Sequence, residues 1–362
     1  MTLRGDIVRR IRREVPRAPG VYLFCGEDET LLYVGKSVDL RSRMLSYFGA
    51  PADEFPRRIQ DMVRMVRTFR CITTRTELEA LLLEDRLIKE KQPPVNVSQK
   101  RSDPCSYLVV TSDTYPALSV AIRPVERREI RSFGPFKDRR QAARLKAAIV
   151  DHLGLRSCQG AVPSRGCYRR EIGTCPGPCR GDVTTEEYIV RVGRALRFLR
   201  GNDGPMVTAL EALKKRQVES LALEKAAETR DLVSFCRAFA ERQRFLSRFR
   251  RGWLRIVEPT DRPDAPLVHV FAKGRWDAID GCADAHELRH RIRELQDPHC
   301  TSTEEDRAVT DRGLIVHRWM RAHEGSFEWT FQGLEGTGNG PAVVMPDGIA
   351  SRRRRPSSDR TS

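Results

Sequence analysis

Residues 20–37 read GVYLFCGEDETLLYVGKS, and this stretch decides the fold of the N-terminal region. Two apolar runs, residues 21–24 and 31–34, flank the polar residues 26–30. Such runs on either side of a polar, glycine-containing stretch predict a β-hairpin. The runs begin and end in two tripeptides, Gly20-Val21-Tyr22 and Tyr33-Val34-Gly35. Each tripeptide alone is weak evidence of function, so the residues that follow them carry the argument.

Helix signals follow the hairpin. Ser37 can cap a helix over about residues 38–48, and a second helix is expected near residues 62–69. Thr74 and Glu77 form a Thr-x-x-Glu capping box, and Pro93-Pro94 ends the helix that this box opens. Residues 12–100 are therefore predicted to form a small domain of mixed α and β structure.

Two charged residues fall on apolar helix faces in this domain. Glu84 shares a face with Leu81 and Ile88, because residues three and four apart are neighbours on a helix. A carboxylate there is costly unless a cation or hydrogen-bond donors satisfy it. Arg43 likewise shares a face with Leu40 and Tyr47, so its guanidinium is expected to point toward the core. The two charges could form a structural ion pair, or they could be the walls of a phosphate site in which Glu84 binds a metal.

The composition favours a polyanionic partner. The chain has 362 residues with 65 Lys and Arg against 49 Asp and Glu, a formal charge of +16. Nucleic acid suits this excess because each neutralised phosphate releases counterions, although a basic chain can also simply be well solvated. No apolar run approaches the roughly 18 residues of a membrane span, and the Arg-rich start lacks the apolar core of a secretory signal. A cytoplasmic protein without a membrane partner is expected.

Four of the ten cysteines are clustered. Cys158, Cys167, Cys175 and Cys179 fall within 22 residues, and the turn-rich Pro176-Gly177-Pro178 lies between the last two. In a chain without a secretory signal, clustered thiols more often hold a metal than form disulfides. Four thiolates suit either Zn²⁺ or an iron–sulfur cluster.

The whole chain is predicted to be an α+β multidomain protein. After the first domain come an α/β linker unit over residues 101–155, the cysteine segment over 156–182 and a helical region over 183–250. Within the linker unit, strands are predicted over residues 107–111 and 119–122 and a helix over residues 139–153. Residues 251–335 are expected to be an α+β region without an assigned role, and residues 336–362 a disordered basic tail. His286 and His290 could bind zinc from one helix face, but a solvated helix is the simpler interpretation.

The chain resembles the GIY-YIG nucleases, and in particular the UvrC family of excinucleases. The resemblance rests on residues 33–43 (YVGKSVDLRSR), on residues 79–84 (EALLLE) and on Pro94-Val95-Asn96. It implies that Glu84 is the sole side-chain ligand of one Mg²⁺ or Mn²⁺ and that Tyr33 is the general base. It further implies that Arg43 stabilises the transition state and that Tyr22 and Asn96 are positioning residues. Lys36 and Arg43 would favour the phenolate of Tyr33.

Two further segments resemble UvrC. Residues 167–179 are similar to its cysteine motif, which implies a 4Fe–4S cluster held by the four clustered cysteines. Residues 223–231 (LEKAAETRD) within a predicted antiparallel helix pair resemble the UVR motif, which docks on the helicase UvrB. The residues that this match places in partner binding are Leu223, Ala226, Ala227, Arg230 and Asp231.

These resemblances together imply a UvrC- or Cho-like endonuclease with one active site. Neither the RNase H-like nuclease nor the helix-hairpin-helix module of full-length UvrC is recognisable. The expected activity is therefore metal-dependent incision of damaged duplex DNA on the 3′ side of a lesion. Two alternatives stay open, namely an adaptor that binds UvrB without cutting and a structure-specific nuclease outside excision repair.

Overall fold

The computed structural model describes residues 3–49, 55–96, 106–125, 131–160, 167–260, 265–280, 285–296 and 306–332. The chain divides into two compact units. One comprises residues 1–103 together with those from residue 248 onward, and the other comprises residues 104–247. In the described part, no helix is both long enough and apolar enough to cross a bilayer.

The N-terminal part of the first unit is a three-stranded antiparallel sheet with helices on both faces. Its elements are α1 (Leu3–Glu14), β1 (Gly20–Cys25), β2 (Leu31–Ser37), α2 (Leu40–Gly49), α3 (Arg57–Met65), β3 (Thr68–Thr73) and α4 (Glu77–Lys91). The strand order is β2-β1-β3, with Tyr22 opposite Gly35 and Phe24 opposite Tyr33. Tyr22 and Phe24 pack with the apolar residues of α1 and α2, whereas Val21 and Val34 pack against α4. Because β2 is first in the strand order, it is an edge strand of this sheet.

The predicted hairpin is confirmed, but the predicted helix over residues 62–69 is wrong at its end. Helix α3 stops at Met65, and residues 68–73 form the third strand, β3. The run TFRCIT contains β-branched and aromatic residues, which favour a pleated surface. Pairing with β1 along its whole length overrides the helical pattern.

Both predicted N-caps in this domain are wrong by two residues. Thr76 caps α4, and its side chain accepts a hydrogen bond from the Glu79 N–H at 3.3 Å. The Glu79 carboxylate in turn accepts the Arg75 N–H at 2.9 Å. Helix α2 is capped by Asp39, which accepts the Ser42 N–H at 2.9 Å, because Ser37 still belongs to β2. The shift frees the Glu77 side chain from capping.

The second unit has one hydrophobic core that includes residues from Leu108 to Ala240. Its antiparallel sheet, of order β5-β4-β6, is followed by five helices. The elements are β4 (Ser106–Val110), β5 (Leu118–Ala121), β6 (Arg131–Phe136), α5 (Arg139–Leu153), α6 (Tyr168–Glu171), α7 (Thr185–Leu199), α8 (Gly204–Glu219) and α9 (Leu223–Arg251). Strand β6 was not predicted, whereas α5 has the predicted bounds because Asp138 caps its start and Gly154 follows its end.

The C-terminal part of the first unit is α+β, as expected for residues 251–335. A four-stranded antiparallel sheet has the order β10-β7-β8-β9. Its elements are β7 (Trp253–Glu258), β8 (Leu267–Ala272), β9 (Arg275–Asp280), α10 (Ala285–Gln296), α11 (Asp306–Ala322) and β10 (Glu328–Gln332). Helix α10 covers Val268 and Val270 of β8. The expected basic tail over residues 336–362 lies outside the described residues.

Candidate active site

Hydrogen bonds from two side chains close the free edge of β2. The Asn96 amide pairs with the backbone of Val34, accepting its N–H at 2.9 Å and donating to its carbonyl at 2.8 Å. The backbone N–H of Lys36, two residues after Val34 in β2, donates to the Glu84 carboxylate at 2.9 Å. These bonds satisfy edge groups that would otherwise face water or another strand. They also fix the half-buried Glu84 carboxylate beside the end of β2.

The Lys36 side chain takes a different carboxylate. Its Nζ lies 2.5 Å from Glu77 Oε1, at the first position of α4. Glu77 was predicted only as half of a capping box, so its place beside Lys36 was missed. The predicted capping box assigned the Glu77 side chain to Thr74. The helix is instead capped by Thr76, two residues later, which leaves the Glu77 side chain free to turn toward β2.

A cluster of phenols and one guanidinium lies on the other face of β2. The Tyr22 and Tyr47 hydroxyl oxygens are 2.8 Å apart, and Arg43 donates to the Tyr47 hydroxyl at 3.2 Å. The guanidinium carbon also sits 5.0 Å from the centroid of the Tyr47 ring. Tyr47 was not predicted as a site residue, although its position one helical turn after Arg43 would have indicated the contact. The prediction that Arg43 points into the core is wrong, because Arg43 is exposed and only leans on Tyr47.

Glycine is required where β2 passes Tyr22. A Cβ on Gly35 would overlap the Tyr22 hydroxyl and lie 2.9 Å from Cε1 of Tyr33. The absent side chain lets the two tyrosines approach each other, with ring centroids 6.1 Å apart. The second tripeptide is therefore a packing requirement as well as a sequence signature.

Burial, more than charge, sets the protonation of the two strand tyrosines. Burial raises the pKa of Tyr33 above its ordinary value, and neighbouring Tyr47 and Glu84 raise it further, whereas Arg43 lowers it less. Burial raises the pKa of Tyr22 in the same way. Arg43 favours the Tyr33 phenolate as expected, but burial outweighs this effect, so the pKa of Tyr33 is raised overall. Lys36 directs its ammonium to Glu77, and the remaining cation does not overcome desolvation.

The donor chemistry at Glu84 fits one hydrated divalent ion. A carboxylate oxygen is the ligand type that Mg²⁺ and Mn²⁺ prefer, and Mg²⁺ commonly uses one or two carboxylates while keeping several waters. In the described part of the chain, no group of three or more His, Cys, Asp or Glu side chains is placed to hold a metal. A site with Glu84 as its single side-chain ligand is compatible with that arrangement.

The four clustered cysteines remain half-buried and do not form one ligand set among the described residues. Cys158 Sγ lies 3.3 Å from Nη1 of the fully buried Arg156, which also bonds the carbonyls of Tyr115 and Gly160. Burial raises the pKa of Tyr188, and the thiols of Cys158 and Cys175 raise it further. Residues 161–166 of the segment are outside the described part.

The predicted helix pair is formed by α8 and α9. Thr229 donates to Gln217 at 2.7 Å and Arg237 lies 3.4 Å from Glu211, so the two helices run antiparallel. Ala226 is buried against this contact, whereas Leu223 is 63% exposed. Arg230 and Asp231 pair with each other at 3.0 Å on the exposed surface, and Ala227 is half-buried. Val218 and Leu221 add exposed apolar surface at the tip of the pair.

Comparisons with known families agree with this geometry. Residues 18–97 match the UvrC-like GIY-YIG domain, and residues 105–198 match the middle domain of the UvrC/Cho excinucleases. Over these two domains the chain is UvrC-like. The first match contains Tyr22, Tyr33, Lys36, Arg43, Glu84 and Asn96. The second match contains the four clustered cysteines.

Individual relatives extend the similarity. UvrABC system protein C of Methanosarcina acetivorans is 35% identical over 229 residues, covering 63% of this chain and 43% of the relative. The same protein of Syntrophomonas wolfei is 36% identical over 243 residues, covering 66% and 40%. The chain thus spans about two fifths of the length of these curated relatives. The magnesium-bound GIY-YIG N-terminal endonuclease domain of Thermotoga maritima UvrC is 29% identical, covering 25% of this chain and 97% of that domain, with a TM-score of 0.23.

Proposed function

We propose that the chain is a UvrC/Cho-like, metal-dependent DNA endonuclease that cuts one strand on the 3′ side of a lesion. The observation that carries the proposal is the placement of Glu84 at the end of β2. Its carboxylate accepts the Lys36 N–H on the strand that also carries Tyr33, and both residues lie within the matched GIY-YIG domain. The basic charge of the chain suits a DNA substrate.

The side chains at the site divide the work of hydrolysing a phosphodiester. Bound at Glu84, Mg²⁺ or Mn²⁺ would supply positive charge to the scissile phosphate and to the leaving 3′-oxygen. The Tyr33 hydroxyl would accept the proton of the attacking water once it is itself ionised, which a positive charge at Glu84 favours. Arg43, exposed and anchored on Tyr47, would hold phosphate oxygens with its guanidinium fork. Water oxygen joins phosphorus as the bond to the 3′-oxygen breaks, which leaves a 3′-hydroxyl and a 5′-phosphate.

Tyr22, Lys36 and Asn96 would act as positioning residues in this scheme. Tyr22 holds the Tyr47 hydroxyl on which Arg43 rests. Asn96 fixes the backbone of β2 between Tyr33 and Lys36. None of the three needs to touch the phosphate to affect the rate, because small displacements of reacting groups are costly.

We also infer a 4Fe–4S cluster on Cys158, Cys167, Cys175 and Cys179. The donor set fits, since four thiolates are the usual ligands of such clusters. The buried Arg156 guanidinium lies 3.3 Å from Cys158 Sγ, where it would balance the charge of a thiolate ligand. The cluster would tie the cysteine segment to the core of the second unit through Arg156 and Tyr188.

The tip of the α8–α9 pair is the proposed docking surface for UvrB. Its support is the exposed apolar surface of Leu221 and Leu223 beside the charged Arg230 and Asp231. Apolar side chains in such a patch bind partners, and the flanking charges set the register. Leu223→Asp should therefore weaken UvrB capture, whereas Glu84→Ala should leave that capture unchanged.

The experiment that tests the proposed function is Mg²⁺-dependent nicking of a lesion-bearing duplex preloaded with UvrB. Glu84→Ala should abolish the nick while binding to the loaded DNA persists. Glu90→Ala is the matched control, because Glu90 is an exposed carboxylate on the same helix. Absence of nicking by the unmodified protein, with UvrB still bound, would reject the enzyme in favour of the non-cutting adaptor. Nicking of branched DNA without lesion or UvrB would favour the structure-specific nuclease.

A further inference from the structure

Helix α11, from the region without an assigned role, lies along α4. Lys89 near the end of α4 pairs with Asp311 at 3.1 Å, and Glu77 at its start pairs with His323 at 3.2 Å. The two α4 residues are twelve apart, and so are their two partners. Polar contacts at both ends therefore place α11 antiparallel to α4 over about 18 Å, at 1.5 Å per residue.

Near the C-terminal end of α4, the interface with α11 is a buried ionic cluster. Lys89 also pairs with Asp85 at 2.8 Å, and the two side chains are only 12% and 7% exposed. Charges in such surroundings persist only in a close geometry, so this end anchors α11 on the helix that carries Glu84.

At the start of α4, His323 contacts Glu77, the residue that binds the Lys36 ammonium in the proposed active site. The two oxygens of Glu77 are divided between partners, with Oε1 on Lys36 Nζ and Oε2 on His323 Nε2. The His323 ring is itself oriented, because it stacks on Trp319 at 4.8 Å and its Nδ1 lies 3.0 Å from the Trp319 carbonyl. The buried Trp319 thus orients the His323 ring, and His323 holds the Glu77 carboxylate. Glu77 in turn holds the Lys36 ammonium.

We propose that Glu77 and His323 are positioning residues for Lys36, so that the region beginning at residue 248 contributes to the nuclease site. This inference rests on the proposed function only for its effect on the reaction. Two of the carboxylates on α4 bind different groups of Lys36, since Glu84 accepts its backbone N–H and Glu77 accepts its ammonium. An ammonium released from Glu77 has the Glu84 carboxylate, two turns along the same helix, as a competing acceptor. Holding Lys36 on Glu77 keeps its charge away from the metal ligand.

Two readouts test the inference with the full-length chain. The first is the rate at which an amine-reactive reagent labels Lys36 Nζ, followed by mass spectrometry without DNA or metal. His323→Ala should raise the rate about threefold, the size expected for a part-exposed ion pair. His323→Gln should restore protection, because its amide can donate to Glu77. Glu324→Ala, which alters the exposed neighbour of His323, is the control and should change nothing.

The second readout is nicking. His323→Ala should lower kcat about fivefold with KM little changed, because substrate binding does not involve His323. In a Glu77→Gln background, His323→Ala should have no further effect, since the two residues act through one contact. Equal melting temperatures of these variants exclude simple unfolding as the cause.

The two readouts separate the two hypotheses. Unchanged Lys36 labelling in His323→Ala would overturn the inference whatever the nicking assay gives. Altered labelling with normal kcat would overturn the role in the reaction. If the unmodified protein does not nick, the proposed function fails, and the labelling rate still decides whether His323 and Glu77 hold Lys36.

Discussion

The GIY-YIG site and the cysteine segment are built in different ways. At the first, regular elements bring Glu84 to Lys36 across 48 residues of sequence, and Asn96 to Val34 across 62, in hydrogen-bond contact. At the second, four thiols lie within 22 residues of sequence, yet the described residues do not form one ligand set. At the first site, the sheet and its helices place the side chains that would hold a metal. At the second, the proposed cluster would itself bring together ligands that lie on turns, because ligands converge as a metal binds.

Removing one cysteine should give the largest effect and test this difference directly. Cys175→Ser is expected to abolish iron content and the visible absorption of the cluster, because a four-cysteine cluster loses one of its ligands. It should also destabilise the second unit by about 4 kcal/mol or more, as loss of a metal site does. Iron analysis and thermal unfolding measure both changes.

Cys71→Ser is the matched control, because Cys71 is half-buried in β3 and outside the cysteine segment. It should retain iron. Full stability of Cys175→Ser would mean that the segment is held by its own fold, and the contrast with the GIY-YIG site would disappear.

A single methyl group should damage the GIY-YIG site, since its geometry comes from close packing. Gly35→Ala pushes a Cβ into the Tyr22 hydroxyl and toward Tyr33. Overpacking in a core costs about 1–3 kcal/mol, so we expect a loss of about 2 kcal/mol and at least a tenfold fall in nicking rate. Urea unfolding and single-turnover nicking measure the two effects.

Gly193→Ala provides the opposite case in α7. A Cβ there meets nothing within 4 Å, and alanine favours a helix over glycine, so stability should rise by about 0.5–1 kcal/mol. Equal stability of Gly35→Ala and the unmodified protein would show that β2 can shift, and that the tyrosine cluster is looser than the structure indicates.

Local patterns in the sequence predicted the elements better than the contacts between them. The hairpin and α5 follow from apolar runs, caps and glycines within a few residues, and both are confirmed. Strand β3 was missed because its identity depends on pairing with β1, more than forty residues earlier. The capping error at Thr74 was a choice between two neighbouring threonines, which only the folded backbone decides.

The site residues show the same division. Glu84 and Arg43 were singled out from the sequence because charge on an apolar helix face is unusual. Glu77, Tyr47 and His323 were missed because each matters through one long-range contact, to Lys36, Tyr22 and Glu77 respectively. The burial that raises the pKa of Tyr33 was also beyond the sequence, since nearby cations suggested the opposite direction.

The smallest expected effect concerns the uncharged phenols that hold the GIY-YIG site. Burial raises the pKa of Tyr22 above its ordinary value of about 10, so the folded state keeps a proton that the unfolded state releases. Stability contributed by the neutral phenol is therefore complete below pH 10 and is lost as the pH rises beyond it. At pH 10.5 the loss from this group is about 0.8 kcal/mol relative to pH 8. Tyr22→Phe removes this ionisable group. The variant should therefore lose less free energy of unfolding between pH 8 and pH 10.5 than the unmodified protein, by about 0.8 kcal/mol.

Urea unfolding at pH 8 and pH 10.5 measures this loss for the unit that contains the site. All four tryptophans, at positions 253, 276, 319 and 329, belong to that unit, so their fluorescence reports its unfolding and not that of the cysteine segment. Tyr168→Phe, which alters an exposed tyrosine of the cysteine segment, should leave the alkaline loss unchanged. An equal loss in Tyr22→Phe and the unmodified protein would mean that Tyr22 ionises in the folded state without cost. The site would then tolerate charge in its packing, and close packing of neutral phenols would not be what holds it together.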